Sequence, residues 1–289
     1  MDIPKYPFTG TMRTSYSAIV LTFVFINLLI GSATAETLKD LPYKTGPGLT
    51  KYEKERCRVD LYLPNGKKQF PTLVWFHGGG LRNGDKGSKA ALVVAHRMLS
   101  HGIAVASANY RLSPKVKFPT YIEDSAAVTQ WVTETIAHYG GDPNKVFVGG
   151  HSAGGYLALM LALDAHYLAD TGLDPQTIAG YVPVSGQTVV HSTIIEERNM
   201  TKGKVLVDEA APLYHISKNT PPILILAGDN DNPARLEENQ LLIAKLKAAG
   251  HPSAELFIGE DRTHGSIITS MGQEDDGVAL AAVNFIGLN

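Results

Sequence analysis

Cysteine is almost missing from this chain: Cys57 is the only one in 289 residues. No internal disulfide can form, so stability has to come from a packed core. An excess of one charge sign is missing too. Lys and Arg number 26 against 28 Asp and Glu, a formal net charge of −2, which leaves no basic footprint for nucleic acid. No His/Cys/Asp cluster has metal-ligand spacing, so nothing points to a bound metal. No apolar run reaches the about 18 residues a membrane-spanning helix needs. Repeats, low-complexity tracts and interdomain linkers are absent as well. What remains, 44% hydrophobic and 19% charged residues, is the composition of one globular α/β domain with a sizeable core. Cys57 lies in the alternating run Arg56-Cys57-Arg58-Val59-Asp60-Leu61 and reads as a small packed hydrophobe in a strand.

The longest apolar run, Ala18 to Ile30, follows Arg13 and precedes Gly31-Ser32-Ala33-Thr34-Ala35. A short apolar core between a basic start and an A-x-A site predicts a secretory signal peptide over residues 1–35, cut after Ala35. The mature protein, 36–289, is then exported to the periplasm or the extracellular space and keeps no membrane span. Residues 1–11 form a polar, proline-containing preamble, while Met12-Arg13-Thr14-Ser15 would open a conventional signal, so Met12 is an alternative start. No lipobox cysteine follows.

Short apolar runs alternate with helical stretches along the mature chain. Strands are expected near 57–63, 72–76, 103–108, 145–149, 178–184, 222–227 and 254–258, and helices near 88–100, 121–138, 153–168, 233–249 and 277–286. The pattern predicts an α/β fold with a mainly parallel sheet covered on both faces. Ligands bind such sheets at the carboxyl ends of the strands. The polar, weakly periodic segment 185–220 reads as a small cap, either a lid over the site or a loop covering the sheet edge.

Gly150-His151-Ser152-Ala153-Gly154 joins a β-prone run to an apolar helical stretch, the strand-turn-helix setting of a nucleophile elbow with Ser152 at its tip. His77-Gly78-Gly79-Gly80 ends the run Leu73-Val74-Trp75-Phe76. Glycines at a strand end let backbone N–H groups approach a developing oxyanion, which assigns those donors to Gly78 or Gly79 together with Ala153. A serine hydroxyl needs a base. Of ten histidines, His264 follows the last expected strand and so shares the edge with Ser152. His251 belongs to the opposite edge, His96, His101, His138 and His166 lie in or beside helices, and His77 and His151 shape loops. An acid orienting the base should follow the preceding strand, where Asp229 and Asp231 compete. Asp231 stands clear of the strand end, whereas Asp229 suits the turn itself. Asp85-Lys86 read as a turn or surface ion pair, Glu123-Asp124 as first-turn carboxylates facing a helix dipole, and Asp208-Glu209 as part of a structural turn.

These motifs, with Asn83-Gly84-Asp85-Lys86, Asn109-Tyr110-Arg111-Leu112-Ser113-Pro114, Phe118-Pro119 and Tyr139-Gly140-Gly141-Asp142-Pro143-Asn144, resemble the esterase/lipase branch of the α/β-hydrolase superfamily, which holds carboxylesterases, kynurenine formamidase-like and prenylcysteine methylesterase-like enzymes. The resemblance runs from about Val59 to the C-terminus. It departs at Leu81, where relatives often carry an aromatic residue. It implies an α/β-hydrolase fold and a Ser152, Asp231, His264 triad. The implied chemistry is cofactor-free hydrolysis of a small ester, with arylformamidase, amidase or exopeptidase activity as alternatives on the same machinery. Export weighs against an intracellular formamide substrate. A silent binding module on this fold would usually have lost the nucleophile or base, and both are present here.

Overall fold

Apolar residues alternate between two cores along each central strand, and this alternation builds the sheet. The computed structural model describes residues 1–2, 36–201 and 203–288. Its strands are β1 (Glu36–Pro42), β2 (Arg58–Leu63), β3 (Phe70–Phe76), β4 (Ala104–Ala108), β5 (Gly141–His151), β6 (Gly180–Val184), β7 (Ile223–Asn230) and β8 (Ala254–Thr263), ordered β1-β2-β4-β3-β5-β6-β7-β8. From β4 to β8 the neighbours are parallel, while β2 pairs antiparallel with β4 and β1 with β2. Val74 and Phe76 of β3, Val148 of β5 and Ile225 of β7 enter one core. Trp75, Phe147 and Leu226 enter the other.

Helices cover both faces. They are α1 (Lys51–Arg56), α2 (Lys89–Ser100), α3 (Thr120–Thr135), α4 (Ala153–Leu163), α5 (His166–Ala169), α6 (Ser192–Glu197), α7 (Arg235–Ala248), α8 (Ser266–Thr269) and α9 (Gly277–Leu288). Helices α3, α4 and α7 feed the first core, and α2, α8 and α9 the second. Every residue of α4 is buried, the mark of a helix that is apolar all round. Its buried leucines contribute about 2 kcal/mol each, which anchors the element that starts at Ser152.

The fold departs from the sequence expectation in several places. Strand β1 and helix α1 were not anticipated: β1 is a largely exposed edge strand, and α1 has no buried residue, so neither carries hydrophobic periodicity. The helix expected over 153–168 breaks at Asp164, whose carboxylate accepts a hydrogen bond from His166 Nδ1, the local bonding through which Asp competes with helix. Strands β5, β7 and β8 outrun their apolar segments. Lys86 is no surface residue. Its ammonium lies between Asp60 (2.7 Å) and Asp40 (2.8 Å) with the side chain 7% exposed, while Asp85 accepts instead from Asn109 (2.9 Å) and the Gly87 N–H (2.8 Å). Asp124 is fully buried and grips Arg111 and Lys44, a stronger role than facing a helix dipole. Asp208 does form a turn, accepting from the Ala210 N–H, and pairs with Arg198. The expected signal peptide lies outside the described residues, apart from residues 1–2. Among the described residues no helix is long and apolar enough to cross a membrane.

Candidate active site

Ser152 stands between β5 and α4 at φ 57° and ψ −114°, a conformation that costs a residue with a Cβ about 1–3 kcal/mol. The surroundings hold it there. Its N–H donates to the Val184 carbonyl at the end of β6 (2.9 Å). A Cβ on Gly154 would lie 2.0 Å from the Phe76 carbonyl oxygen, and one on Gly155 2.7 Å from that of Val184. The first turn of α4 thus rests directly on the ends of β3 and β6, and only residues without side chains permit it.

His264 arrives from the end of β8. The Ser152 hydroxyl donates to its Nε2 (2.8 Å), and its Nδ1–H donates to Asp231 Oδ1 (2.6 Å). Asp231, not Asp229, is the carboxylate that meets the histidine. Asp229 instead accepts the N–H groups of Asp261 (3.1 Å) and Arg262 (3.0 Å), so it clamps the extended ends of β7 and β8 together as well as bonding within its own turn. That clamp carries the β8 strand far enough for His264 to follow. The Asp231 side chain is 1% exposed. Burial pushes its carboxyl up, but hydrogen bonds from His264, Ser185 and the Asn232 N–H outweigh burial and hold it below the usual carboxylate range, so it is ionised at neutral pH.

The glycine loop closes the third side. The Cβ position of Gly78 lies 3.3 Å from Ser152 Cβ. Gly79, at φ 114°, would set a Cβ 2.2 Å from the Asn83 carbonyl oxygen, and its own carbonyl accepts from Arg82 (3.1 Å) and Asn83 (3.0 Å). The N–H groups of Gly78, Gly79 and Ala153 have no acceptor among the described residues. A strained serine, a histidine within hydrogen-bond reach, a buried carboxylate behind it and free amides beside it form a constellation suited to acyl transfer.

Comparison with known proteins points the same way. A family model described as BD-FAE matches residues 59–193. Carboxylesterase NlhH of Mycobacterium tuberculosis is 27% identical over 243 residues, 76% of this chain and 75% of that protein. Esterase LipQ of the same species is 28% identical over 241 residues, 75% of this chain but only 54% of its own length. The solved structure of Thermogutta terrifontis esterase 2 phosphoramylated by tabun superposes with a TM-score of 0.67 at 21% identity, covering 88% of this chain and 92% of that one. The chain is similar to carboxylesterases in sequence and has the α/β-hydrolase fold.

In this α/β-hydrolase fold, two further histidines brace the site. His77 donates from Nδ1 to the Gly78 carbonyl (2.7 Å), accepts at Nε2 from Arg56 (3.3 Å), and stacks on Tyr110 at 4.4 Å between ring centroids. His151 donates from Nε2 to the His264 carbonyl (2.8 Å). Burial above all pushes both down to about 4, so both are neutral. Cys57 is buried, and burial pushes its thiol up to about 11, leaving it inert. Arg56, Ser185 and Asp229 escaped the sequence reading as supports of the site. For Arg56 a signal existed: Thr50-Lys51-Tyr52-Glu53 is a capping box that announces the short helix delivering it.

Proposed function

We propose that this protein is an exported serine carboxylic-ester hydrolase working through an acyl-enzyme on Ser152, with Asp231 and His264 completing the triad. Similarity to carboxylesterase NlhH and esterase LipQ supports the esterase class. The hydrogen-bonded chain from the Ser152 hydroxyl through His264 to Asp231 carries the mechanism, and the segment from Arg13 to Ala35 is the ground for export. His264 takes the hydroxyl proton as Ser152 Oγ attacks the ester carbonyl. Negative charge then falls on the carbonyl oxygen, where the amides of Ala153 and of Gly78 or Gly79 stabilise it by a few kcal/mol. Collapse of the tetrahedral species expels the alcohol, which leaves with the proton from His264. Water, deprotonated by the same histidine, frees the acid and restores the hydroxyl. Asp231 keeps the proton on Nδ1 throughout and stabilises the imidazolium. Segment 185–220 reaches the glycine loop, where Thr193 donates to the carbonyl of Gly80 (2.6 Å), which supports its reading as a lid.

Mature protein recovered from the exported fraction should begin at Glu36, hydrolyse p-nitrophenyl acetate, and take a fluorophosphonate label on Ser152. The Ser152→Ala variant should lose about 10⁴-fold or more in kcat while melting like the parent. Undiminished turnover in that variant would refute the reading.

A further inference from the structure

Two side chains near Ser152 hold hydrogen-bond donors that the fold does not use. His191, the N-cap of α6, is 3% exposed and packs on the Tyr156 ring of α4 at 5.2 Å between centroids. Its Nδ1 accepts the Thr193 N–H (3.1 Å), which places the ring proton on Nε2. No hydrogen bond among the described residues takes that Nε2–H. Burial, then the charges of Arg235 and Arg82, pushes His191 down to about 3, so the ring stays a neutral donor. Arg235 opens α7. Its Nη1 donates to the Ser185 carbonyl, and its Nε is buried without an acceptor. No carboxylate among the described residues forms an ion pair with it. Asp231 is engaged by His264, Ser185 and Asn232. Glu238 accepts from Thr188 (3.4 Å), and burial shifts it toward the neutral form.

The charge of Arg235 feels those of Glu238 and Asp231, although neither forms an ion pair with it among the described residues, and the first turn of α7 adds the positive end of a helix dipole to it. Arg235 adjoins the triad through Ser185, whose hydroxyl donates to Asp231, and Tyr156, on which His191 packs, lies one turn along α4 from Ser152. The charge of Arg82, by contrast, is met by Glu196 at 2.9 Å. Two donors without acceptors, one of them cationic, therefore sit close to the elbow. We propose that His191 and Arg235 form a carboxylate-binding subsite beside Ser152, so that the preferred substrates are esters carrying a second, ionised carboxyl group on the acyl or the alcohol part. This rests on the ester-hydrolase reading above.

Matched ester pairs test it and separate the two positions. For the acyl part, p-nitrophenyl butyrate is compared with the p-nitrophenyl monoester of glutaric acid; for the alcohol part, phenyl acetate with 4-acetoxybenzoate. The parent should favour the carboxylate-bearing member of one pair about tenfold or more in kcat/KM. Arg235→Gln should remove that preference and Arg235→Lys keep part of it. Equal rates in both pairs, or equal losses for charged and neutral esters in Arg235→Gln, would overturn the subsite. Calorimetric titration of Ser152→Ala with glutarate and with 4-hydroxybenzoate needs no turnover. Binding of one of them that disappears when Arg235→Gln is added supports the subsite even if no ester is cleaved. Failure of both to bind overturns it and leaves the hydrolase reading standing or falling on Ser152 labelling.

Discussion

The imidazole of His151 is held neutral and donates to the backbone carbonyl of His264, tying the loop that carries the base to the strand that carries the nucleophile. With a side chain that cannot donate, that carbonyl is left unsatisfied at a cost of about 1–3 kcal/mol, and the imidazole of His264 is free to drift from Ser152. Small misplacements of reacting groups cost up to about 10²-fold in rate. His151→Leu is therefore expected to lower kcat on p-nitrophenyl acetate by about 10- to 100-fold with little change in KM, and His151→Gln, which can still donate, to recover part of the loss. Steady-state kinetics on folded samples checks this, and an equal loss in both variants would show that packing rather than the hydrogen bond matters. Ser152 and His264 could be picked from sequence because a motif and a strand order constrain them. Ser185 and Arg235 could not, because each acts on a carboxylate or a main-chain carbonyl brought near only by folding, and for Arg56 the capping box announces the helix but not the carbonyl it meets.

At the level of elements, the elbow depends on α4 lying against the strand ends without side chains between them. Gly154→Ala would force a methyl group to within 2.0 Å of the Phe76 carbonyl oxygen, a backbone contact that no rotamer change relieves, and should destabilise the protein by about 3 kcal/mol or more. Gly265, beside His264, is the control: a Cβ there meets nothing within 4 Å, and its φ of −88° suits any residue. Gly265→Ala should stay within about 0.5 kcal/mol of the parent or gain slightly. Urea midpoints of the two variants measure the contrast, and similar midpoints would contradict this account of the elbow. The same elements show where sequence patterns run out. Buried strands announce themselves as apolar runs, so the central sheet is legible. The last residues of β7 and β8, Gly228-Asp229-Asn230 and Gly259 to Thr263, pair without that pattern because the Asp229 carboxylate binds two amides across the gap. Such a clamp leaves no periodic trace, and neither do β1 at the sheet edge and the wholly unburied α1.

Across the whole molecule, histidines pushed down by burial set the response to acid, His77, His151 and His191 furthest. Burial pushes His77 and His151 down to about 4 and His191 to about 3, whereas unfolded histidine titrates near about 6.5. Below that pH the unfolded chain takes up protons that the native state refuses. Stability therefore rises with pH in this window and is lost as pH falls from about 6.5 toward the native values, by up to about 1.4 kcal/mol per pH unit for each histidine. The carboxyls of Asp124 and Asp231 lie below their ordinary 3.8. Their contribution is present above that value and disappears only as pH falls through their native pKa, so between pH 6.5 and 4 the histidines dominate the slope. Three of them together reach several kcal/mol between pH 7 and pH 5, a large share of the about 5–15 kcal/mol that holds a domain folded. A lone cysteine leaves no disulfide to restrain the unfolded chain against this loss. Urea unfolding at pH 7, 6 and 5 should show a steadily falling midpoint, and His77→Asn should make the fall shallower by up to about 1.4 kcal/mol per pH unit. A midpoint that stays level over this range would mean that these imidazoles take up protons without leaving the fold.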